Sequence, residues 1–468
     1  MSLWPRPSRG TDTGGGRILG LSRESEKPII APKGHGLLLS ANGGGKTTRG
    51  AMPWLYSLLS TVSDRAILCL DSKNGEMAIQ AAPMLAKMGA KVAVIDDMEI
   101  WPELARYRVQ LNAFNPIISA YLRDPRELIY AAETITHALI EEPKDDAKNR
   151  YFRAWPRNLI EFVLTLLVKR DPGTTTPGGV AAVLGDPEML RSFAEIEAEE
   201  GDPLLRSQAK AITETIGHEH WPQHLEEAQR ALRLFSEGTR LHEAGRGATL
   251  SHEELIREGY VIFLVGPQAR MTRLGAYYAL HLQAFCDALY QGAGALRVIA
   301  NEFTNTPLKS LIEALTTLRA FGGELFFIAQ SRSEIIRRFG EQECRTIEEN
   351  AIVKQWFGFS SFEEAERVSK AMGEQHAVQA GLSGDSTGLK SQTSLSLIKQ
   401  RWMSPAELMA MPASQQLIHI KGVGFFLAGT ISQANIAPYC DLIGENPLEG
   451  GRLPPDPKIT LALPGARR

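Results

Sequence analysis

Gly36-Leu37-Leu38-Leu39-Ser40-Ala41-Asn42-Gly43-Gly44-Gly45-Lys46-Thr47-Thr48 is the stretch on which the reading of the fold turns. The apolar run before the loop reads as a buried strand, and the amphipathic Thr47–Leu59 after it reads as a helix. Small residues between the two let successive backbone N–H groups close around a phosphate. A Lys can then reach the β and γ oxygens, and a Thr hydroxyl can serve Mg2+. Asn42, Gly43, Gly44, Gly45, Lys46, Thr47 and Thr48 are therefore the expected nucleotide-binding residues, with ATP and Mg2+ as cofactors. The helix that starts here points its positive end at the anion. The strict G-x-x-x-x-G-K-[ST] pattern has Gly at its first position, where this chain has Ser40.

Outward from the loop the pattern repeats. Ala66–Leu70 and Lys91–Ile95 read as strands, with a helix over Gly75–Met88 between them. Strands alternating with helices specify a mostly parallel sheet, because parallel strands need crossover helices, and the ligand then sits at the strand C-termini. From about Tyr121 to Leu250 strand-like runs give way to helical periodicity, and they resume at Tyr260–Val265, Arg297–Ala300, Leu325–Ala329, Ile352–Phe357, Gln416–Ile420 and Gly424–Thr430. The expected fold is an α/β P-loop NTPase whose nucleotide-binding domain is discontinuous, in two parts at 31–120 and 251–445, around an all-α insertion at 121–250. Residues 1–30, with Pro5, Pro7 and Gly14–Gly16, read as a flexible arm, 446–468 as a C-terminal tail, and the Ser/Thr/Gly-rich Ser383–Ser396 as a mobile loop.

A Mg-nucleotide site also needs an acidic strand end, where one group holds the metal and a second activates water. Arg297-Val298-Ile299-Ala300-Asn301-Glu302 fits, with Glu302 as general base and Asn301, with Thr47, in the metal-holding position. Asn keeps a carbonyl oxygen but lacks the charge, so weakened Mg2+ binding and reduced turnover are expected. Gln330, at the tip of Glu324–Ala329, suits a group that senses the γ-phosphate or orients water. Arg319, late in the preceding helix, suits an arginine finger reaching a neighbouring subunit's nucleotide.

In this order the segments resemble the TraG/TraD-type coupling ATPases of conjugation and type IV secretion. Leu70-Asp71-Ser72-Lys73-Asn74-Gly75-Glu76 is similar to the family's D-P-K-G-E segment with one extra residue, and Asn301-Glu302-Phe303-Thr304-Asn305 to its D-E-F-A-N. Phe114-Asn115-Pro116, Tyr151–Trp155, Ala231–Phe235, Leu318–Gly322 and Ile328–Ser331 follow the family's sequence of motifs, so the resemblance covers about 30–430. It implies a RecA-like motor domain with an all-α domain, a homo-hexameric ring with nucleotide at its interfaces, and a DNA or relaxase–DNA substrate handed to type IV secretion channel components. An adaptor with a weakened site, or a DNA pump of the FtsK/HerA type, are the alternative functions. The family usually has N-terminal transmembrane helices, an Asp at position 301 and Gly or Ala at position 40.

Composition bounds this reading. Lys plus Arg total 51 against 54 Asp plus Glu, a net charge of −3, so nucleic-acid contact must come from local patches. No apolar run approaches the roughly 18–20 residues that cross a bilayer, and Met1–Lys27 reads as neither signal peptide nor anchor. The expectation is a cytoplasmic protein that meets the inner membrane only through partners. Four scattered cysteines without a C-x-x-C pair suit a reducing compartment.

Overall fold

In the computed structural model, which describes residues 11, 13–14, 16–59, 65–140, 150–306, 309–384 and 391–462, eleven strands form one sheet. They are β1 (Ile18–Leu21), β2 (Pro28–Ile30), β3 (Gly36–Leu39), β4 (Arg65–Asp71), β5 (Val92–Ile95), β6 (Val261–Val265), β7 (Ala295–Asn301), β8 (Gly323–Ala329), β9 (Val353–Trp356), β12 (Gln415–Ile420) and β13 (Gly424–Gly429). Their order is β2-β1-β13-β12-β9-β3-β8-β7-β4-β6-β5. From β9 to β5 every pairing is parallel; β12, β13, β1 and β2 extend the edge antiparallel. The parallel strands are apolar along their length, as Val261-Ile262-Phe263-Leu264-Val265 shows, because helices cover both faces.

Helices fill the chain between β5 and β6, the longest being Arg150–Arg170. Its Leu159, Phe162, Val163 and Leu166 pack in the same core as Leu68 and Leu70 of β4, so the helical block is built onto one face of the sheet. The block expected over 121–250 is wider, since a helix already begins at Asn115, where Pro116 suits the first turn, and the last one ends at Arg257. Among the described residues no helix is long and apolar enough to cross a membrane.

Three expectations need correction. Of the flexible arm placed at 1–30, residues 1–10, 12 and 15 lie outside the described residues, and Ile18–Leu21 and Pro28–Ile30 form β1 and β2 of the sheet. Arg17, 2 % exposed, lies 3.8 Å over the Phe326 ring and 4.9 Å from that of Trp54, in space that only Gly36 leaves open. Burial lowers its pKa to about 9. Gln355 and Gln416, buried and hydrogen-bonded to one another at 2.8 Å, both donate to the Leu19 carbonyl and clip β1 to the sheet. The loop expected at Ser383–Ser396 is largely an antiparallel ribbon of β10 (Glu374–Gly384) and β11 (Ser391–Arg401), with 385–390 outside the described residues. The tail expected at 446–468 is tied down as far as Leu461: β15 (Ile459–Thr460) pairs with β14 (Ile436–Ala437), and Asn446 reaches the site described next.

Candidate nucleotide-binding site

The loop leaves β3 at Ser40, whose N–H donates to the Ala329 carbonyl of β8 at 3.1 Å, and turns through Gly43 and Gly45 at φ +74° and +80°. L side chains are strained there, which accounts for glycine at both positions. Gly44 has another reason. A Cβ on it would meet the Ser40 hydroxyl at 2.1 Å, so the serine that replaces the usual glycine is housed by the missing side chain four residues on. Lys46–Ala51 opens the following helix as a π-turn that continues as Met52–Leu59.

Lys46 and Thr47 are buried at this junction while Asn42 and Gly43 are exposed at the tip. The Lys46 Nζ donates to the Ser40 carbonyl at a long 3.4 Å. Burial lowers its pKa, and the charges of Glu302 and Glu334 oppose that, so the ammonium faces carboxylates across the loop. Thr48 is half-buried behind Thr47.

Asn301 ends β7, 1 % exposed; its Nδ2 donates to Thr47 Oγ1 at 3.3 Å, and its Oδ1 has no partner among the described residues. Glu302, the next residue, adopts the left-handed conformation (φ 49°, ψ 45°), rare for a side chain of this size. Such strain costs about 1–3 kcal/mol and turns the chain so that the carboxylate leaves the strand end toward the loop. Gln330 follows Ala329, which pairs with Leu39, and lines a small cavity of about 90 Å³ with Trp356 and Arg332. The structure thus gathers Lys46, Thr47, Asn301, Glu302 and Gln330 at the C-terminal ends of β3, β7 and β8.

Arg319 is not among them. It precedes β8 by one turn at Gly322, and the seven residues of that strand put it roughly 20 Å from the loop of its own chain.

One member escaped the sequence reading. Glu76, fully buried at the start of helix Glu76–Lys87, accepts from the Thr47 hydroxyl at 3.4 Å, from Asn446 at 2.7 Å, and pairs with Lys73 at 3.1 Å. Burial raises its pKa, and the hydrogen bond from Asn446 and the Lys73 charge hold it down. Asp71, directly across from Asn301 in the β4–β7 register, is pushed up to about 8 by burial, against the Ala78 N–H that donates to it at 2.8 Å. Its Oδ1 has no partner among the described residues. Glu76, from the turn after β4, therefore puts a carboxylate on a hydroxyl that β7 meets with an amide.

A glycine loop and buried Lys-Thr pair at the C-terminal edge of a parallel sheet define a RecA-like P-loop fold. Within that class, residues 295–413 match the family model described as the TraM recognition site of TraD and TraG, which spans about a quarter of the chain. The bacterial conjugative coupling protein TrwBdeltaN70, unbound, has the same fold, with a TM-score of 0.62 at 15% identity over 92% of this chain and 95% of that one. The plasmid coupling protein TrwB in complex with ADP and Mg2+ gives 0.60 at 15% identity over the same shares. VirB4 of Thermoanaerobacter pseudethanolicus gives 0.50 at 13% identity, covering 92% and 99%. No curated protein sequence matches the chain.

Proposed function

We propose that this chain is a Mg-ATP-driven motor that couples a DNA or nucleoprotein substrate to a type IV secretion channel. The observation that carries the reading is the convergence on Thr47 and Lys46, at the end of β3, of groups from the ends of β4, β7 and β8, in the fold of a conjugative coupling protein. Asn301, whose Nδ2 meets the Thr47 hydroxyl and whose Oδ1 has no partner among the described residues, and the Glu76 carboxylate flank that hydroxyl, an oxygen set that suits Mg2+ and its water shell. Bound there, Mg2+ with the nucleotide would supply charge neutralisation on the phosphates. The loop N–H groups and Lys46 bind the phosphates, Thr47, Asn301 and Glu76 hold the cation's place, and Glu302 takes the proton of the attacking water. Gln330 orients that water. Arg319, out of reach of its own loop, serves a neighbour's nucleotide in a homo-hexameric ring. The match over 295–413 supports a relaxosome partner.

The test is DNA-stimulated ATP hydrolysis by the purified protein. Wild type should turn over ATP with DNA present, Lys46→Ala should lose nucleotide binding, and Glu302→Gln should bind ATP while losing turnover by about 10²–10⁴-fold. A wild type that binds ATP but shows no turnover with single- or double-stranded DNA overturns the motor and favours the adaptor reading that Asn301 motivates.

A further inference from the structure

We propose that an arginine-lined cleft beside β5 and β6 binds the phosphate backbone of a single strand of nucleic acid, a site that rests on the motor reading above. Its walls come from the helix Trp221–Leu232 with the turn after it, and from the loop Gln268–Leu274 that leaves β6. Five guanidinium groups line it: Arg230, Arg233, Arg240, Arg270 and Arg273, all exposed, around about 800 Å³ of open space. Arg230 pairs with Glu226 and Glu227 at 3.1 Å, and Arg240 with Glu99 at 3.2 Å. Arg233, Arg270 and Arg273 have no carboxylate within 4 Å and no side-chain hydrogen bond among the described residues. Three uncompensated charges on one cleft are a local departure in a chain whose overall charge is −3.

The shape favours a polymer over a small anion. A second cavity of about 370 Å³ adjoins the first, and Arg230 and Arg233 line both, so the charged wall is continuous over a length no single phosphate fills. Between the arginines lie Met98 and Leu234, partly exposed over the buried Leu241 and Leu274, apolar surface that suits base faces. A single strand presents its bases to such a floor, whereas a duplex hides them between two backbones. The cleft is also wired to the nucleotide site. The Gln268 N–H donates to Asn74 Oδ1 at 3.0 Å, and the Asn74 N–H to the Gly266 carbonyl at 2.9 Å. The loop that carries Arg270 and Arg273 is thus clipped to the turn whose Glu76 touches Thr47.

The experiment is fluorescence anisotropy with a labelled oligo-dT of about 20 nucleotides, enough to cover a site of ~4–16, titrated at several salt concentrations. Each phosphate contact on a single strand contributes about 0.7 to the slope of log K against log salt. The triple variant Arg233→Ala, Arg270→Ala, Arg273→Ala should therefore lose about 2 from that slope and at least tenfold in affinity near 0.1 M salt. The triple Arg→Lys variant should keep most of the slope. Fluorescent ATP binding must stay at the wild-type value in both, which shows that the fold and the loop are intact. A triple-Ala variant that binds oligo-dT as wild type does, with the same slope, overturns the cleft while leaving the motor standing. A wild type that binds neither oligo-dT nor duplex overturns both. Preference for duplex, or displacement of the strand by polyglutamate at equal charge concentration, also overturns it, pointing in the second case to an acidic protein.

Discussion

Replacing Glu76 by Gln, and then moving the lost charge to position 301, tests the reading of the metal-holding groups. Glu76 Oε2 lies 3.4 Å from Thr47 Oγ1 and Asn301 Nδ2 lies 3.3 Å from the same atom, so the two side chains flank one hydroxyl at equal range. The Glu that ends the D-P-K-G-E-like segment thus brings a carboxylate to the hydroxyl that position 301 meets with an amide. At an effective dielectric of about 20, a carboxylate about 5 Å from a dication gains on the order of 7 kcal/mol before desolvation. Desolvation takes back most of this, and loss of a partner one shell out from a metal costs about 10–100-fold in affinity, roughly 1.4–2.8 kcal/mol. Glu76→Gln preserves shape, and the amide oxygen can still accept from Asn446; Lys73 retains Glu449 at 2.8 Å. The Mg2+ concentration that half-saturates fluorescent-ADP binding should therefore rise about 10–100-fold in Glu76→Gln, with metal-free ADP affinity unchanged. Adding Asn301→Asp to that variant should restore most of the loss, whereas Asn301→Asp alone should lower the requirement below wild type. An unchanged Mg2+ requirement in Glu76→Gln, or failure of the double variant to recover any, refutes the shared-hydroxyl argument.

Two other outcomes follow from particular contacts. Gly44→Ala should weaken nucleotide binding sharply, because its Cβ would meet the Ser40 hydroxyl at 2.1 Å; Ser40→Ala in the same chain removes that atom and should return part of the affinity, since the Ser40 Cβ lies at an ordinary 3.5 Å and the Ala41 carbonyl, at 3.1 Å, need shift only slightly. The second concerns pH. His252 Nε2 and His281 Nδ1 are 2.9 Å apart and buried, and burial lowers both pKa values, that of His281 to about 3. The unfolded chain takes up protons near pH 6.5 where the folded chain does not, so stability falls as pH drops below about 6.5, by up to about 3 kcal/mol per pH unit for the pair. Urea midpoints at about pH 7.5 and 5.5 should diverge less in His252→Gln/His281→Gln than in wild type; equal divergence would sink the assignment.

What the chain revealed before folding was set by how local the causes are. The glycine loop, Lys46 and Thr47 were legible because their chemistry is written in consecutive residues, and β7 and β8 because buried parallel strands are continuous apolar runs. β1 was not, because its burial depends on partners more than 300 residues away, Gln355, Gln416 and Phe326, none of which marks the Gly- and Ser-rich N-terminus. The β10–β11 ribbon was hidden because Ser, Thr and Gly read as loop when no apolar alternation accompanies them. Glu76 was not legible as a site residue because nothing local says that the end of its segment folds against Thr47, 29 positions upstream on another strand end. The arginine cleft has the same origin, since Arg233 and Arg270 meet only after β6 passes beneath the helical block. Position 301 is therefore weighed together with the strand ends on either side of it, and here a carboxylate reaches Thr47 from the very turn that Asn74 ties to the cleft.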